Sequence, residues 1–281
     1  MAVQLGVFVV PDAQDPERTL AQIAAADELG LELVGIQDHP YQRRFLDTWT
    51  LLAFAAARTQ RVRLVPDVIN LPLRPPAPLA KAAASLDLLS GGRVELGLGA
   101  GAFWDGIAAM GGPRRSGPES VDALVEAIAV LRGFWSGERA VTVRGQYYAV
   151  GGVHPGPAPA HPIGIWLGAY GPRMVALTGR LADGWLPSVP RLPLDDVLPR
   201  QEAIDEAARR AGREPGEVVR ACNLSLAGDP AGWPDQIVRL AADYRFSAFF
   251  LGTDGDDPLD VVRRIGEETA PRVREALGAA R

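Results

Sequence analysis

The chain is poor in the side chains that most often carry protein chemistry. Cys222 is the only cysteine among 281 residues, which excludes an intramolecular disulfide and any metal centre built from several thiolates. Lys81 is the only lysine, so Schiff-base chemistry has a single candidate and the positive charge is nearly all arginine. With 3 histidines, two of them among prolines and glycines at His154 and His161, a multi-histidine metal site is disfavoured and no metal is expected. No apolar run reaches the roughly 18 residues that suggest a membrane span. The start, Met1-Ala2-Val3-Gln4-Leu5, lacks the basic residues of a secretory leader, so a cytoplasmic protein without a membrane partner is expected. A net charge of -5 argues against nucleic acid as the main partner.

What is present is a large apolar fraction, 47% against 22% charged, enough for an extensive core. The order of elements is regular. Val3 to Val10 is an apolar strand, and Asp15 or Pro16 opens an alanine-rich helix that stops at Gly30. Leu33 to Gln37 is a second strand, ending at Asp38-His39-Pro40, and Asp47 caps a helix to about Thr59. Arg61 to Pro66 with Val68 to Asn70 forms a third strand, and Pro76 to Leu89 its helix. Val94 to Leu98 is the fourth strand, followed by a long loop and an amphipathic helix from about Glu119 to Trp135. Arg139 to Val150 alternates like an inserted hairpin. Strands at Ile163–Leu167, Gly184–Leu186, Val218–Leu226 and Ser247–Leu251, each with a following helix, complete eight alternating units.

Eight β-then-α units without a break in composition predict one domain over residues 1–281, a parallel (β/α)8 TIM barrel with a small hairpin inserted between its fourth helix and fifth strand. An open doubly wound sheet needs only five or six such strands. In a barrel, chemistry sits where the strands end, and four strand ends carry suitable residues. Asp38-His39 places a carboxylate beside an imidazole, the side chain best suited to proton transfer near neutrality. Asp67 to Asn70 closes the third strand. Gly97-Leu98-Gly99-Ala100-Gly101 loses its side chains where the strand emerges, which lets backbone approach a flat ring or a phosphate, or makes room for neighbours. Gly168 to Arg173 is a glycine turn into a helix with Pro172 first, a candidate anion site to which Arg173 would add charge. Phe45, Phe103, Trp104 and Trp185 are candidates for an apolar wall.

Taken in order, Asp38-His39, Val68-Ile69-Asn70-Leu71-Pro72 with Arg74 and Pro76, Ser85 to Arg93 leading into Gly97 to Gly101, and Gly171-Pro172-Arg173 before Ala182-Asp183-Gly184-Trp185 resemble the bacterial luciferase-like monooxygenase family. The resemblance implies an oxidoreductase barrel holding FMN or the deazaflavin coenzyme F420 in its mouth, working as a homodimer on a small organic substrate. It implies that Asp38 and His39 lie beside the ring as the catalytic pair, the carboxylate favouring the protonated imidazole and fixing its orientation. Asp67-Val68 matches the place of a non-proline cis peptide behind the ring, with Asn70, Gly99 and Ala100 near the cofactor and Tyr170, Gly171 and Arg173 near its phosphate. Asp-His-Pro at strand two is closer to the deazaflavin enzymes than to the luciferases, so hydride transfer with F420 is expected ahead of reduced FMN with oxygen. A non-catalytic flavin-binding barrel and a metal-dependent hydrolase are the competing classes. Phe103-Trp104-Asp105 stands where deazaflavin sugar-phosphate dehydrogenases have a glutamate.

Overall fold

A computed structural model describes residues 3–253 and 257–279; Met1 and Ala2, part of the start weighed above for a leader, lie outside it. Nine strands form one parallel sheet in the order β3-β2-β1-β11-β10-β9-β8-β5-β4. They are β1 (Gln4–Val9), β2 (Leu33–Ile36), β3 (Arg63–Pro66), β4 (Ile69–Asn70), β5 (Leu96–Gly99), β8 (Ile165–Leu167), β9 (Gly184–Trp185), β10 (Val219–Leu224) and β11 (Ala248–Gly252). β3 and β4 are two pieces of one stave, interrupted at a cis Asp67–Val68 bond, so the nine strands make eight staves. The ring closes through Leu64, whose N–H donates to the Arg93 carbonyl at 2.7 Å and whose carbonyl accepts from Glu95 N–H at 3.1 Å.

Helices return the chain between staves: α1 (Pro16–Glu28), α2 (Thr48–Arg58), α3 (Pro76–Ser90), a short α4 (Trp104–Ala109), α5 (Gly117–Trp135), α6 (Pro172–Leu181), α7 (Val197–Arg210), α8 (Trp233–Tyr244), α9 (Pro258–Arg264) and α10 (Ala270–Ala279). Their starts follow local chemistry. Asp15 and Asp47 each accept a first-turn N–H, and Ser116 with Glu119 forms a reciprocal capping box. That box moves the start of α5 back from the expected Glu119, and the preceding loop contains α4. The inserted hairpin is β6 (Val141–Arg144) with β7 (Ala149–Val153), which runs past the expected end at Val150. The Glu126 carboxylate of α5 accepts the N–H groups of Gln146, Tyr147 and Tyr148 at 2.7–2.8 Å, fixing the hairpin turn to the wall.

The amino-terminal end of the barrel is held by buried charges rather than by apolar contact alone. Arg93 donates to Ser90, Ala56, Thr59 and Val62 carbonyls and to the Thr59 hydroxyl at 2.8–3.0 Å. Asp87 accepts from Val94, Ala160 and His161 backbone N–H groups and faces His161 Nδ1 at 2.9 Å. His161 is thereby structural, and His154 faces the Arg139 carbonyl at 2.7 Å. These contacts explain the two buried charged residues of the Ser85–Arg93 stretch: Asp87 and Arg93 pair backbone groups that burial would leave without partners.

Arg93→Ala is expected to lower stability by about 3 kcal/mol, because several buried carbonyls lose their donor at once. Urea unfolding measures this; a loss below about 1 kcal/mol would show that water replaces the guanidinium.

Candidate functional site

At the carboxyl ends of the staves lies a cavity of about 460 Å³, within the range of small-molecule and cofactor sites. Asp38, His39, Asp67, Val68, Asn70, Gly99, Ala100, Tyr170 and Gly171 all line it. Arg173 does not. It occupies the second position of α6, whose third residue, Met174, lines the cavity; the turn of the helix carries Arg173 to the outer wall, where it pairs with Asp122 at 2.7 Å. There it borders a larger, shallow groove of about 760 Å³ between α5, α6 and α7. Phe103 lines the mouth, but Phe45 sits in a separate surface depression. Trp185 is fully buried, bonded to the Ala169 carbonyl and stacked on Phe246, and belongs to the core.

The glycines of β5 serve two purposes. A Cβ on Gly97 would collide with the Pro66 carbonyl oxygen, so this glycine is required by the approach of the broken third stave. A Cβ on Gly99 would lie 2.9 Å from Val68 Cγ2, and on Gly168 3.3 Å from the same methyl. Val68 therefore projects into a wall otherwise made of backbone, a surface against which a flat ring can lie.

Asp38 has a different role from the one expected beside an imidazole. Only 2% exposed, its carboxylate is forked by Arg74, with Nε to Oδ2 at 2.9 Å and Nη2 to Oδ1 at 2.8 Å, and Oδ2 also accepts Asn70 N–H at 2.9 Å. Arg74 continues to Asp47 at 2.6 Å. Asp38 is thus engaged in fixing β4, and the orientation of His39 comes from Tyr41, whose hydroxyl lies 2.5 Å from Nδ1. Burial lowers the His39 pKa; the Asp38 charge pulls the other way, and Arg191 adds to the lowering. The imidazole is accordingly less easily protonated than a free one: Asp38 favours its cation, as expected, but burial outweighs that pull. Burial, reinforced by Asp38, pushes the Tyr41 phenol up to about 12, so it keeps its proton.

Three further cavity residues carry chemistry that sequence reading missed. Tyr41 follows His39 by only two positions and was legible as a neighbour but not as a partner. Arg191 comes from the loop after β9, lies 6.0 Å from the Phe103 ring centroid, and has no carboxylate at ion-pair distance among the described residues. Asn223 of β10 reaches across to Asp67 Oδ1 at 3.0 Å. Nothing in the sequence marked Arg191 or Asn223 as cavity residues. Among buried polar atoms, Asp67 Oδ2, Asn70 Oδ1 and Asn223 Oδ1 have no hydrogen-bond partner, and all three residues border the cavity.

These features fit a flavin-type ring. Glycine backbone and Val68 offer a flat apolar wall, and Asn70, Asp67 and Asn223 bring polar groups to it. The start of α6 lacks a side-chain cap, so its first-turn N–H groups are free for an anion, and nothing lies within 4 Å of where a Gly171 Cβ would be.

Desolvation without a compensating cation pushes the Asp67 carboxyl up to about 7 from 3.8. The folded state then holds this proton more tightly than the unfolded chain, so its stabilising effect is complete below about pH 4 and is lost as pH rises through 7. Asp67→Asn removes that loss. Its melting temperature should gain on the wild type between pH 5 and pH 8 and then stay level; parallel curves would contradict the assignment.

The chain matches the luciferase-like monooxygenase model over residues 3–275. It is 33% identical over 227 residues to an F420-dependent glucose-6-phosphate dehydrogenase of Intrasporangium calvum, covering 76% of this chain and 66% of that enzyme. It is 31% identical over 271 residues to an F420-dependent hydroxymycolic acid dehydrogenase of Mycobacterium tuberculosis, covering 92% of this chain and 71% of that one. Among solved structures, an F420-dependent secondary alcohol dehydrogenase in complex with an F420–acetone adduct superposes with a TM-score of 0.86 at 20% identity, over 97% of this chain and 99% of the other. That likeness speaks for the fold, and the eight-stave barrel, the glycine-lined mouth and the match along nearly the whole sequence agree: the chain belongs to the luciferase-like monooxygenase family.

Proposed function

We propose that the protein is an F420-dependent oxidoreductase that moves a hydride between the deazaflavin and a small organic alcohol or carbonyl compound. The observation that carries this reading is His39, a neutral-leaning imidazole in the cavity with Nδ1 engaged by Tyr41 and Nε2 without a hydrogen-bond partner among the described residues. F420, when bound, supplies the hydride chemistry. Val68, Gly99, Ala100 and Gly168 would support its ring, Asn70 would face it, and Tyr170 and Gly171 at the start of α6 would meet its phosphate. With Nδ1–H donating to the Tyr41 oxygen, His39 Nε2 offers a lone pair that takes the hydroxyl proton of an alcohol; in the reverse direction it returns that proton to the carbonyl oxygen. Asp38 with Arg74 holds β4, which keeps this face of the cavity in register. Similarity to F420-dependent dehydrogenases at 31% and 33% identity supports F420 over FMN.

The aromatic rings of Tyr41 and Phe103 lie 5.4 and 5.5 Å from that of His39, which favours a substrate with an apolar body beside its reacting oxygen. Among the described residues, no helix is long and apolar enough to cross a membrane. A cytoplasmic, single-domain protein, and on the strength of the family resemblance a homodimer, completes the proposal, and light scattering tests the dimer.

Equilibrium titration decides the cofactor: F420 should bind more tightly than FMN, and alcohols should reduce the bound deazaflavin. Tight FMN binding with oxygen consumption would replace this reading by a flavin monooxygenase, and binding without turnover of any donor by a storage barrel. His39→Asn should keep its affinity for F420 but lose about 10²-fold or more in kcat. Because alcohol oxidation needs the neutral imidazole, the wild-type rate should rise with pH through a midpoint below the ordinary 6.5. A midpoint above 6.5 would contradict the burial argument. Gly171→Leu, placed in open space, should leave the melting temperature unchanged while weakening F420 binding about tenfold or more, the equivalent of roughly 1.4 kcal/mol; unchanged affinity would remove the phosphate from the start of α6.

A further inference from the structure

Asp67 is a carboxyl without a cation at the floor of the cavity. It leaves β3 at the break in the third stave, is 6% exposed, and its N–H donates to the Ile36 carbonyl at 2.7 Å. Oδ1 accepts from the Asn223 amide at 3.0 Å, and Oδ2 has no partner. Oδ2 occupies room left by Gly35 of β2, where a Cβ would stand 2.9 Å away.

The groups that face Asp67 are all uncharged at neutral pH. From β10 come Asn223 and the Cys222 thiol, from the loop after β8 the Tyr170 phenol, and from the space over Gly35 the Phe250 ring of β11. Burial, with the Asp67 charge as a further cause, raises both Cys222 and Tyr170 above their ordinary values, so neither ionises first. Among the described residues, no arginine, lysine or histidine lies within ion-pair distance of Asp67. The cavity's positive group, Arg191, acts on His39, Tyr41 and Tyr170, and Arg74 is taken by Asp38 and Asp47. A carboxylate here has one neutral hydrogen bond and nothing to offset its charge, whereas the acid form fits the same space without burying a charge.

We propose that Asp67 sets the charge that the cavity accepts: as the neutral acid it admits a ring bearing negative charge, and as the carboxylate it opposes one, so that binding such a ring draws a proton onto Asp67. This rests on the cofactor reading above, because both candidate rings can carry such charge, the reduced flavin at its N1 position and the deazaflavin at its ring hydroxyl. One proton passes from solvent to Oδ2 and no electrons move. Two like unit charges about 5 Å apart in a medium of effective dielectric about 20 repel by enough to cost roughly a hundredfold in affinity. Taking up a proton avoids that cost, which makes binding and Asp67 protonation reciprocal.

Calorimetric titration of the wild type and Asp67→Asn with F420 and with anaerobically reduced FMN, from pH 6 to 9 in two buffers of different ionisation heat, tests this. The wild type should take up close to one proton at pH 8 and lose affinity with rising pH above about 7, approaching tenfold per unit and levelling at roughly a hundredfold. Asp67→Asn, which keeps the shape and an acceptor for Asn223, should bind with flat pH dependence and no uptake attributable to this site. Should that variant fail to fold, Asp67→Ser replaces it with the same expectation. Equal uptake and parallel pH profiles in the two proteins would overturn this role for Asp67 while leaving the cofactor in place. If neither protein binds either ring, the cofactor reading fails and this proposal falls with it. His39 does not confuse the result, because it is present in both proteins and any proton it takes up is common to them.

Discussion

The pairing of Asp38 with Arg74 is the contact on which the geometry of the mouth depends. A buried carboxylate that accepts two N–H groups of a guanidinium and one backbone N–H ties the segment after β2 to the end of β4 across the break in the third stave. Through it the broken stave resumes in register with β5, Val68 is presented to the cavity, and Asp67 is left beneath. Removing Arg74 would leave Asp38 as an uncompensated buried charge, typically a cost of about 3–5 kcal/mol, whereas Arg74 without Asp38 keeps its pairing with Asp47. The arrangement explains why the acid beside the imidazole does not orient it: Asp38 is held by Arg74 and Asn70, and Tyr41 takes over the orientation of the ring.

Two carboxyls beside the same break are thus treated in opposite ways. Asp38 is given a cation and three donors; Asp67 is given one amide and no cation. The first is tied into an ion pair that builds the wall, and the second is a group whose charge can change near neutral pH. Cavities with such divided carboxyl environments are where acid–base roles separate.

Much of the barrel was legible because its signals are local and repeated. Asp15, Asp47 and Pro76 open helices where the sequence pattern puts them, and each β-then-α unit announces the next. The stretch from Gly97 to Gly101 was legible as close approach but not as to what: Gly97 yields to Pro66 and Gly99 to Val68, and only closure of the ring brings the third stave against the fourth. Arg173 was misplaced because a residue's distance along the chain from a glycine turn says nothing of its direction around a helix, and Met174 takes the inward position instead. Arg191 and Asn223 could not be found from sequence, since each contributes by reaching across the mouth from a stave far away in the chain.

A crystal structure of the protein with F420 tests the central claim most directly, that this cavity is a deazaflavin site built on the broken third stave. The account predicts the ring against Val68, Gly99 and Gly168, within reach of His39, and the phosphate at the N–H groups of Gly171 and the first turn of α6. A ring bound outside the mouth, or a phosphate held by Arg173 in the outer groove, would contradict it.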